Sequence, residues 1–418
     1  MAEDHATGEQ AGKSAPTRRD FVAYGGSIAA TGLLAGCTDS TDAGPTGGGD
    51  GDAGNESGGG GNDGGGSDGS GGDGTDDESG EESAPETYTV TMEPVGSVEF
   101  EGVPETWVAN NGSWADMGIA LGQAPPEAVY LTSRYHTQYY DEIPGLSVDK
   151  SGMTSLWESE LDVESFLELG EDADVFVIDP NFILGRTSNW EQEDIDQIES
   201  AGTPFFGNSI FSRGYGWHDY EYLSLYEAFE KLAEVFQERE RYEAFDAVHE
   251  EFLGRVDEIV PPEGERPSVA IMWPQPVDEP TAFSPYLIDE GTSFKQWRDL
   301  GVEDAFATTG VRDFHSDRGQ VDYETLLEID PDVLLLRGNE AKTEAEFRDT
   351  VVSFMEDHNV ASRLTAVENG DVYRGGSLYQ GPITNLVLTE RAAGQVYGVD
   401  EELFDRQRVA DIVSGDFE

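Results

Sequence analysis

The side chains that most often carry chemistry in proteins, cysteine and histidine, are scarce in this sequence. It contains one Cys and six His among 418 residues. His136, His218 and His315 have no close spacing, which disfavours a metal centre built on histidines. His249 begins HEEFL, which lacks the second histidine of a zinc-protease helix. No serine elbow or activated nucleophile is recognisable in the part expected to fold. We predict a protein that is not an enzyme, with an exported hydrolase as the weaker alternative.

The single cysteine ends the stretch TRRDFVAYGGSIAATGLLAGC, Thr17 to Cys37. Arg18 and Arg19 form a twin-arginine pair, and the mostly apolar run that follows is too short to span a bilayer comfortably. The pair indicates the Tat export route. The last four residues, LAGC, resemble a lipobox, in which cleavage before the cysteine leaves its sulfur free to carry lipid. We therefore predict a signal over residues 1–37 and a lipid anchor on Cys37, at the extracellular face of the cell membrane.

The charge balance is strongly acidic, with 86 Asp plus Glu against 24 Lys plus Arg and a net charge of -62. Such a charge strains a compact fold by self-repulsion and is tolerable where concentrated salt screens it. We predict a halophilic, archaeal source. The charge argues against nucleic acid and anionic membrane surfaces as partners because both are recognised by basic patches. The many carboxylates also prevent the selection of any acid-base pair.

The chain divides by composition into five segments. After the signal, residues 38–87 are rich in Gly, Asp, Ser and Glu, and this composition predicts a disordered acidic tether. The remainder is longer than one core usually covers. We predict an N-terminal α/β lobe over 88–220, a helical spine over 221–262 and a C-terminal α/β lobe over 263–418.

An internal repeat supports the two lobes. Asp162 to Leu169 reads DVESFLEL and leads to DVFVIDP at Asp174, while Asp322 to Ile329 reads DYETLLEI and leads to DVLLLRG at Asp332. Each block has an acidic first turn, a short amphipathic helix and then a continuous apolar strand. Strands that are apolar on both faces are typical of a mainly parallel sheet covered by helices. The fold class is therefore α/β, with two similar lobes.

Other segments complete this pattern. The predicted strands are Thr106–Ala109, Ala128–Thr132, Val175–Ile178, Pro204–Phe206, Ser268–Trp273, Val333–Leu336 and Asp371–Tyr373. The predicted helices between them are Ser113–Leu121, Asp194–Ser200, Phe294–Leu300 and Glu344–His358. Two apolar stripes within Glu221–Val260 predict a stiff spine that breaks into two helices at Gln237–Arg241 and ends at Pro261.

This order of segments resembles the ABC-transporter substrate-binding proteins of the ferric siderophore and cobalamin type. The likeness covers about residues 88–398. It is carried by TPFFGN at Thr203–Asn208, LLEIDPDVLLL at Leu326–Leu336, AVENGDVYRG at Ala366–Gly375 and LYQGPITNLVLTERAAGQVYG at Leu378–Gly398. The first strand departs from the pattern, since Pro104 to Val108 lacks the arginine that family members often carry there.

The resemblance implies capture of an iron(III)-siderophore type chelate in a cleft between the lobes. It also implies delivery to a membrane permease driven by an ATPase. Cobalamin or haem binding by the same fold is the alternative, and a bare metal ion is less favoured. We expect a monomer without a resident cofactor or metal.

Ligands in open α/β sheets bind beyond the carboxyl ends of the strands. The candidate ligand-binding residues chosen on this basis are Asn110, Trp114, Arg134, Tyr135, Asn181, Asn208, Trp217, Trp273, Tyr286, Arg337 and Tyr379. Arg186 and His136 also lie near such ends. Trp114 and Trp273 have the alternative of simple core packing. Arg337 could bind an anionic group through two parallel hydrogen bonds, with pairing to a neighbouring Asp as its alternative.

Overall fold

The computed structural model of the protein describes residues 87–157 and 162–417, all of which belong to one unit, Ser79–Glu418. The predicted signal, with Arg18, Arg19 and Cys37, lies outside the described residues. So does the predicted tether, except for its last residue, Thr87. None of the helices in the described ranges is both long enough and apolar enough to cross a membrane.

The first lobe contains a hairpin and a parallel sheet. The hairpin consists of β1 (Tyr88–Met92) and β2 (Gly96–Phe100), which pair antiparallel. Four strands follow: β3 (Trp107–Ala109), β4 (Ala128–Val129), β5 (Thr154–Ser155) and β6 (Val175–Val177). They form a parallel sheet in the order β5-β4-β3-β6. Every residue of β3 and β6 is buried, as expected for strands covered on both faces.

The second lobe is built on five strands. They are β7 (Ser268–Gln275), β8 (Ala282–Tyr286), β9 (Glu303–Asp304), β10 (Val333–Leu336) and β11 (Val372–Arg374). The order is β11-β10-β7-β8, and β9 pairs with β7. Only β8 is antiparallel to its neighbour among these described strands. Every residue of β10 is buried, as in the strand of the first lobe that carries the same sequence block.

Helices connect the strands and cover the sheets. In chain order they are α1 (Gly112–Ala120), α2 (Val163–Gly170), α3 (Pro180–Arg186), α4 (Gln192–Ala201), α5 (Leu225–Val235), α6 (Arg239–Ile259), α7 (Lys295–Asp299), α8 (Phe314–Asp317), α9 (Tyr323–Ile329), α10 (Glu344–Phe347), α11 (Ser353–Asp357), α12 (Thr365–Asn369), α13 (Pro382–Tyr397) and α14 (Arg406–Ser414). A π-helical turn, Arg348–Val352, joins α10 to α11, so the helix predicted over 344–358 is continuous but irregular.

The repeated sequence block folds in the same way in both lobes. Asp162 caps α2 by accepting a hydrogen bond from the Ser165 N–H at 2.8 Å. Asp322 caps α9 by accepting from the Thr325 N–H at 2.8 Å. A side-chain acceptor at this position satisfies one of the free N–H groups at a helix start. The acidic turn of each repeat is therefore a helix cap.

The aspartate that precedes the strand of each repeat joins it to the neighbouring strand. Asp174 Oδ2 accepts from the backbone N–H groups of Glu105 and Thr106, just before β3, at 2.9 and 3.0 Å. Asp332 Oδ2 accepts from the backbone N–H of Ser268, the first residue of β7, at 2.8 Å. The two halves thus share a hydrogen-bond pattern as well as a sequence pattern, and the prediction of two similar α/β lobes is confirmed.

Two helices, α5 and α6, form the connection between the lobes. Ser224 and Glu227 form a capping box at the start of α5, with side-chain to backbone distances of 2.7 and 3.3 Å. The helix is interrupted at Gln237, which has a left-handed φ of 55°. This position lies within the predicted range Gln237–Arg241. The second helix, α6, contains 21 residues, a length of about 30 Å.

One arginine of α6 contacts the ends of two other helices. Arg241 Nη1 donates to the carbonyl oxygens of Leu121, which follows α1, and Val413, in the last turn of α14, each at 3.0 Å. A positive charge is favourable at the carboxyl end of a helix. The first lobe, the spine and α14 therefore meet at a single side chain.

The sheets differ from the prediction in two respects. The predicted strand Pro204–Phe206 forms only one bridge, between Phe176 and Phe205, although its phenylalanines are fully buried. The strands β1, β2, β5, β8 and β9 were absent from the prediction. Strand β8 contains Pro285, and proline weakens the sequence signal of a strand because it cannot donate to a ladder.

Candidate ligand site between the lobes

Loops from both sheets meet where the parallel strands end. In the first lobe they follow β3, β4, β6 and the Phe205 bridge, and in the second they follow β7, β10 and β11. The ring centroids of Phe211 and Tyr379 lie 5.6 Å apart. The Arg134 guanidinium carbon lies 5.1 Å from the Trp273 ring centroid. The structure thus brings Arg134, Trp273 and Tyr379, three of the predicted residues, to the edge where such sheets bind ligands.

Aromatic side chains pack together at this meeting point. The Tyr130 ring centroid lies 5.1 Å from those of both Trp157 and Phe182. Tyr215 and Trp217 are stacked, with centroids 4.2 Å apart. We call this set the cleft aromatic cluster, and its members are Tyr130, Trp157, Phe182, Phe211, Tyr215, Trp217 and Tyr379. The cluster brings one predicted residue from each lobe, Trp217 and Tyr379, into the same packed group.

Arg186, the last residue of α3, lies among these rings. Its Nη2 donates to the Tyr130 hydroxyl and its Nη1 to the Tyr215 hydroxyl, both at 3.1 Å. Its guanidinium carbon lies 5.7 Å from the Phe182 ring centroid, within the range of a cation–π interaction. No Asp or Glu in the described ranges forms an ion pair with it. Its positive charge is therefore available to an anionic group.

Asp179 fixes the start of α3 and so the direction of the helix that carries Arg186. Its carboxylate accepts from the Asn181 N–H at 2.9 Å and from Ser209 Oγ at 2.6 Å. The Tyr220 hydroxyl donates to it as well. Burial raises the pKa of Asp179 and these donors oppose that effect. Asn181, a predicted ligand residue, lies half-buried in this first turn.

A small cavity of about 20 Å³ lies beside the cluster and is lined by both lobes. Arg134 and Trp273 form part of its wall. Gly338 approaches so closely that a Cβ atom there would lie 2.7 Å from the Trp273 ring, which favours glycine at this position. Burial lowers the pKa of His136, another lining residue, to about 4. The imidazole is therefore neutral near pH 7.

Glu340 connects the lobes at this cavity. Within the second lobe, its carboxylate accepts from Arg391 Nη2 at 3.0 Å and from the Gly376 N–H at 2.9 Å. From the first lobe, the Tyr139 hydroxyl donates to the same carboxylate, and Gln138 Nε2 donates to the Glu340 backbone oxygen at 3.0 Å. Burial opposes ionisation of Glu340, but Arg391 and Tyr139 hold its pKa below the ordinary value.

Arg337 and Tyr286, both predicted to contact ligand, lie inside the second lobe. Arg337 has no exposed surface, and Tyr286 is 4% exposed. The guanidinium carbon of Arg337 lies 4.6 Å from the Phe294 ring centroid and 5.3 Å from that of Tyr286. Within the described residues, Arg337 has no ion pair with an Asp, so the alternative of a neighbouring Asp partner is wrong there.

Four other predicted residues are buried within the fold. They are Asn110, Trp114, Tyr135 and Asn208. Trp114 packs in the main hydrophobic core with no exposed surface. Asn208 Nδ2 donates to the backbone oxygens of Glu93 and Glu221 at 2.7 and 3.0 Å, which ties the hairpin to the segment before α5. Contact of these four side chains with a ligand stays a prediction.

One serine, one histidine and one aspartate meet at the back of the site. Ser212 Oγ lies 3.0 Å from His315 Nδ1 and 2.9 Å from Asp289 Oδ2. Ser212 is fully buried and lies between the other two, whereas a nucleophilic serine stands at the end of such a relay. Burial lowers the pKa of His315 to about 3. In the described ranges, no group of three or more His, Cys, Asp or Glu could hold a metal ion.

Comparison with known proteins identifies the family. Residues 111–379, more than half of the chain, match the family described as periplasmic binding protein. The chain belongs to this family. The family resemblance seen in the sequence is thereby confirmed. Members of the family are substrate-binding transport proteins, so the prediction that this periplasmic binding protein is not an enzyme agrees with its family.

Several solved structures share the fold of this periplasmic binding protein. A periplasmic binding protein from Veillonella parvula DSM 2008 has a TM-score of 0.53 and 16% identity, covering 75% of this chain and 99% of its own. The iron uptake ABC transporter substrate-binding protein PiuA from Streptococcus pneumoniae has a TM-score of 0.51 and 16% identity, covering 74% and 99%. At these identities the likeness shows the fold alone. No curated protein matches the sequence.

Sequence reasoning missed most of the cleft aromatic cluster of this periplasmic binding protein. The predicted strand Ala128–Thr132 includes Tyr130, whereas β4 ends at Val129, so Tyr130 belongs to the loop beyond the strand. Trp157 likewise follows β5 by two residues. The signal that could have found them is an aromatic residue immediately beyond a strand end. Phe211 lies farther from any strand, and no local signal places it.

Proposed function

We propose that this periplasmic binding protein captures a bulky, partly anionic metal chelate of the iron(III)-siderophore type. It would pass the chelate to an ABC permease driven by an ATPase. The observation that carries the proposal is Arg186, which lies among aromatic rings at the ligand edge without an ion pair in the described residues. In a chain with a net charge of -62, an arginine without a carboxylate partner is suited to an anionic ligand.

The surrounding chemistry supports an organic chelate. Aromatic faces bury the apolar parts of a ligand, and cations beside them bind its negative groups. Arg134, which lies over Trp273 in the cavity wall, supplies a second positive charge at the edge where the lobes meet. PiuA, the pneumococcal iron uptake protein, shares the fold at 16% identity, which is compatible with an iron chelate but does not choose one.

Cobalamin or haem is the alternative ligand class. A corrin or porphyrin ring could stack on rings such as the Tyr215–Trp217 pair, whose planes are inclined by only 19°. A bare metal ion and an exported hydrolase remain the weaker alternatives. The chelate and the macrocycle differ in shape and spectrum, so one titration panel separates them.

The test is a tryptophan fluorescence titration of the full chain in molar salt. The panel contains ferric hydroxamate and catecholate siderophores, cobalamin, haem, zinc and manganese, with absorbance controls for nonspecific quenching. We expect one chelate to quench saturably. Arg186→Gln should weaken its binding by about tenfold or more, because a hydrogen-bonded charge contributes about 1.5–3 kcal/mol. Arg348→Gln changes an exposed residue of the π-helical turn that pairs with Glu344, and this chain should bind as the unaltered chain does.

The outcomes of the titration decide between the ligand classes. Equal affinity of the Arg186→Gln and Arg348→Gln chains for the chelate would show that Arg186 does not bind the ligand. Binding of zinc or manganese but of no chelate would contradict the chelate proposal. Saturable binding of haem or cobalamin alone would replace the siderophore by a macrocycle in the same cleft.

We also propose Tat export directed by Arg18 and Arg19, and a lipid anchor on Cys37. In a halophilic archaeal host, Cys37→Ser should release the protein from the membrane fraction into the medium, since no lipid could then be attached. Cell fractionation and mass spectrometry of the N-terminal peptide measure this outcome. Retention of the Cys37→Ser protein with the membrane, at the level of the unaltered chain, would contradict the anchor.

A further inference from the structure

The second lobe contains a fully buried cation with unused hydrogen-bond donors. Arg337 follows β10, and its backbone N–H donates to the Met272 carbonyl oxygen at 2.8 Å. Its Nη2 donates to the Ser293 carbonyl oxygen. Its Nε and Nη1 atoms are buried and have no hydrogen-bond partner among the described residues. The three N–H groups of these two nitrogens are therefore left without an acceptor among the described residues.

The nearby carboxylates do not compensate this charge directly. Asp289, Asp313 and Glu340 raise the pKa of Arg337 from a distance, but burial is the larger effect and lowers it to about 10. Each of the three carboxylates is already held by other donors. An unpaired buried charge destabilises a folded protein strongly, so a counter-charge at Arg337 would be stabilising.

A second unused donor lies beside the first. Ser293 Oγ is fully buried and unpartnered among the described residues, and it belongs to the residue whose carbonyl accepts from Arg337. The rings of Phe294 and Tyr286 cover the guanidinium. Arg337 and Ser293 thus offer N–H and O–H donors, and the two rings form apolar walls around them. A water molecule would satisfy the donors but would leave the charge uncompensated.

We propose that Arg337 and Ser293 hold a resident monovalent anion of the size of chloride in the interior of the second lobe. The anion supplies the counter-charge that no carboxylate of the described residues provides. Arg337 has no exposed surface, and the Ser293 backbone N–H donates to the carbonyl oxygen of Phe211 at 3.2 Å. The anion therefore lies behind the cleft aromatic cluster and out of reach of the transported solute. An anion that binds only the folded chain stabilises it by mass action.

The first experiment compares sodium salts at equal ionic strength. Thermal unfolding of the full chain is followed as gluconate, which is too large for the site, is replaced stepwise by chloride or bromide. We expect a saturable rise of a few degrees in Tm for the unaltered chain. Arg337→Met should abolish this rise. Arg348→Met, which removes an exposed and ion-paired arginine, should retain it. A rise of equal size in the Arg337→Met chain, or none in the unaltered chain, would overturn the proposal.

The second experiment does not depend on the folding of a variant. Crystals of the unaltered protein grown in bromide should show an anomalous peak within contact distance of Arg337 Nη1 and Ser293 Oγ. Density for water alone at that position would overturn the proposal. Loss of the chloride effect on saturation with a cleft-binding chelate would also overturn it, because the anion would then share the site of the transported solute.

Discussion

The carboxylate of Asp116 links the two lobes through a single side chain. It belongs to α1 of the first lobe and is fully buried. Its Oδ2 accepts from the Ile383 N–H at 3.0 Å and from the Thr384 N–H and hydroxyl at 3.1 Å each. These groups form the first turn of α13, where a helix carries partial positive charge. The cap of α13 is therefore supplied by the other lobe.

Burial gives Asp116 a predictable effect on stability. It raises the pKa of Asp116 from 3.8 to about 6, so the folded chain binds this proton more tightly than the unfolded chain. The resulting stabilisation is complete below about pH 4 and is lost as pH rises through about 6. We expect it to amount to about 3 kcal/mol in the free energy of unfolding. Urea unfolding of the unaltered and Asp116→Asn chains between pH 4 and 7 measures it as a difference.

The control for this titration is Asp141→Asn, which removes an exposed carboxylate. Its pH profile should run parallel to that of the unaltered chain, whereas the profile of Asp116→Asn should lack the decrease. Parallel profiles for all three chains would show that Asp116 is not protonated in this pH range.

The sequence alone could not distinguish Arg186, which lies at the cleft, from Arg337, which is buried inside the second lobe. Arg337 stands immediately after β10, and Arg186 ends the helix α3 that follows β6, a buried strand of the same type. Whether a side chain faces the cleft or the interior depends on partners distant in sequence, here Phe294 and Tyr286 for Arg337. The position of a strand end is a local property and could be predicted, but the exposure of the arginine beyond it could not.

Among the elements, the aspartates before β6 and β10 should act as independent strand connections. Asp174→Ala and Asp332→Ala each remove an acceptor for backbone N–H groups of the neighbouring strand. We expect each change to lower the free energy of unfolding by about 1 kcal/mol, and the double variant by the sum, because the sites lie in different lobes. Guanidinium unfolding of the single and double variants measures both effects.

The matched control for the strand connections is Asp257→Ala, which removes an exposed carboxylate of α6. It should leave the free energy of unfolding nearly unchanged. If the double variant loses much more free energy of unfolding than the two single variants together, the connections in the two sheets are energetically coupled and not independent.

The elements that could be predicted are those whose signals are local. The caps Asp162 and Asp322 and the apolar runs behind them identify α2, β6, α9 and β10 within a few residues. The break in the spine could likewise be placed near Gln237. Strands β1, β2 and β8 contain five residues each and are longer than β6 and β10. Their antiparallel pairing, however, depends on partners that local patterns do not reveal. The cleft aromatic cluster depends on contacts of the same non-local kind.

For the whole molecule, the hydrogen bond from Tyr139 to Glu340 connects one lobe to the other. Tyr139→Phe removes it while Glu340 keeps Arg391 and the Gly376 N–H. We expect the lobes to separate more readily, because a hydrogen bond to a charged group contributes about 1.5–3 kcal/mol. Ligand should then dissociate several-fold faster in stopped-flow fluorescence, and amide exchange over 137–142 should quicken.

Tyr397→Phe is the control for the contact between the lobes. The Tyr397 hydroxyl donates to the Leu300 carbonyl oxygen at 2.6 Å, a bond that lies within the second lobe. Its loss should lower stability without changing the rate of ligand dissociation. Equal dissociation rates in the Tyr139→Phe and Tyr397→Phe chains would mean that the bond to Glu340 does not restrain separation of the lobes.

The contact of Arg241 with two helix ends also sets an order on biosynthesis. The carbonyl groups that it binds belong to Leu121 and Val413, which a ribosome incorporates almost three hundred residues apart. The carboxyl end of α1 therefore acquires its full set of neighbours only after α14 has been made. The first lobe therefore cannot complete its contacts until one of the last segments of the chain has been translated. Export by a route that carries folded chains, as the twin arginines predict, would then begin only after synthesis has finished.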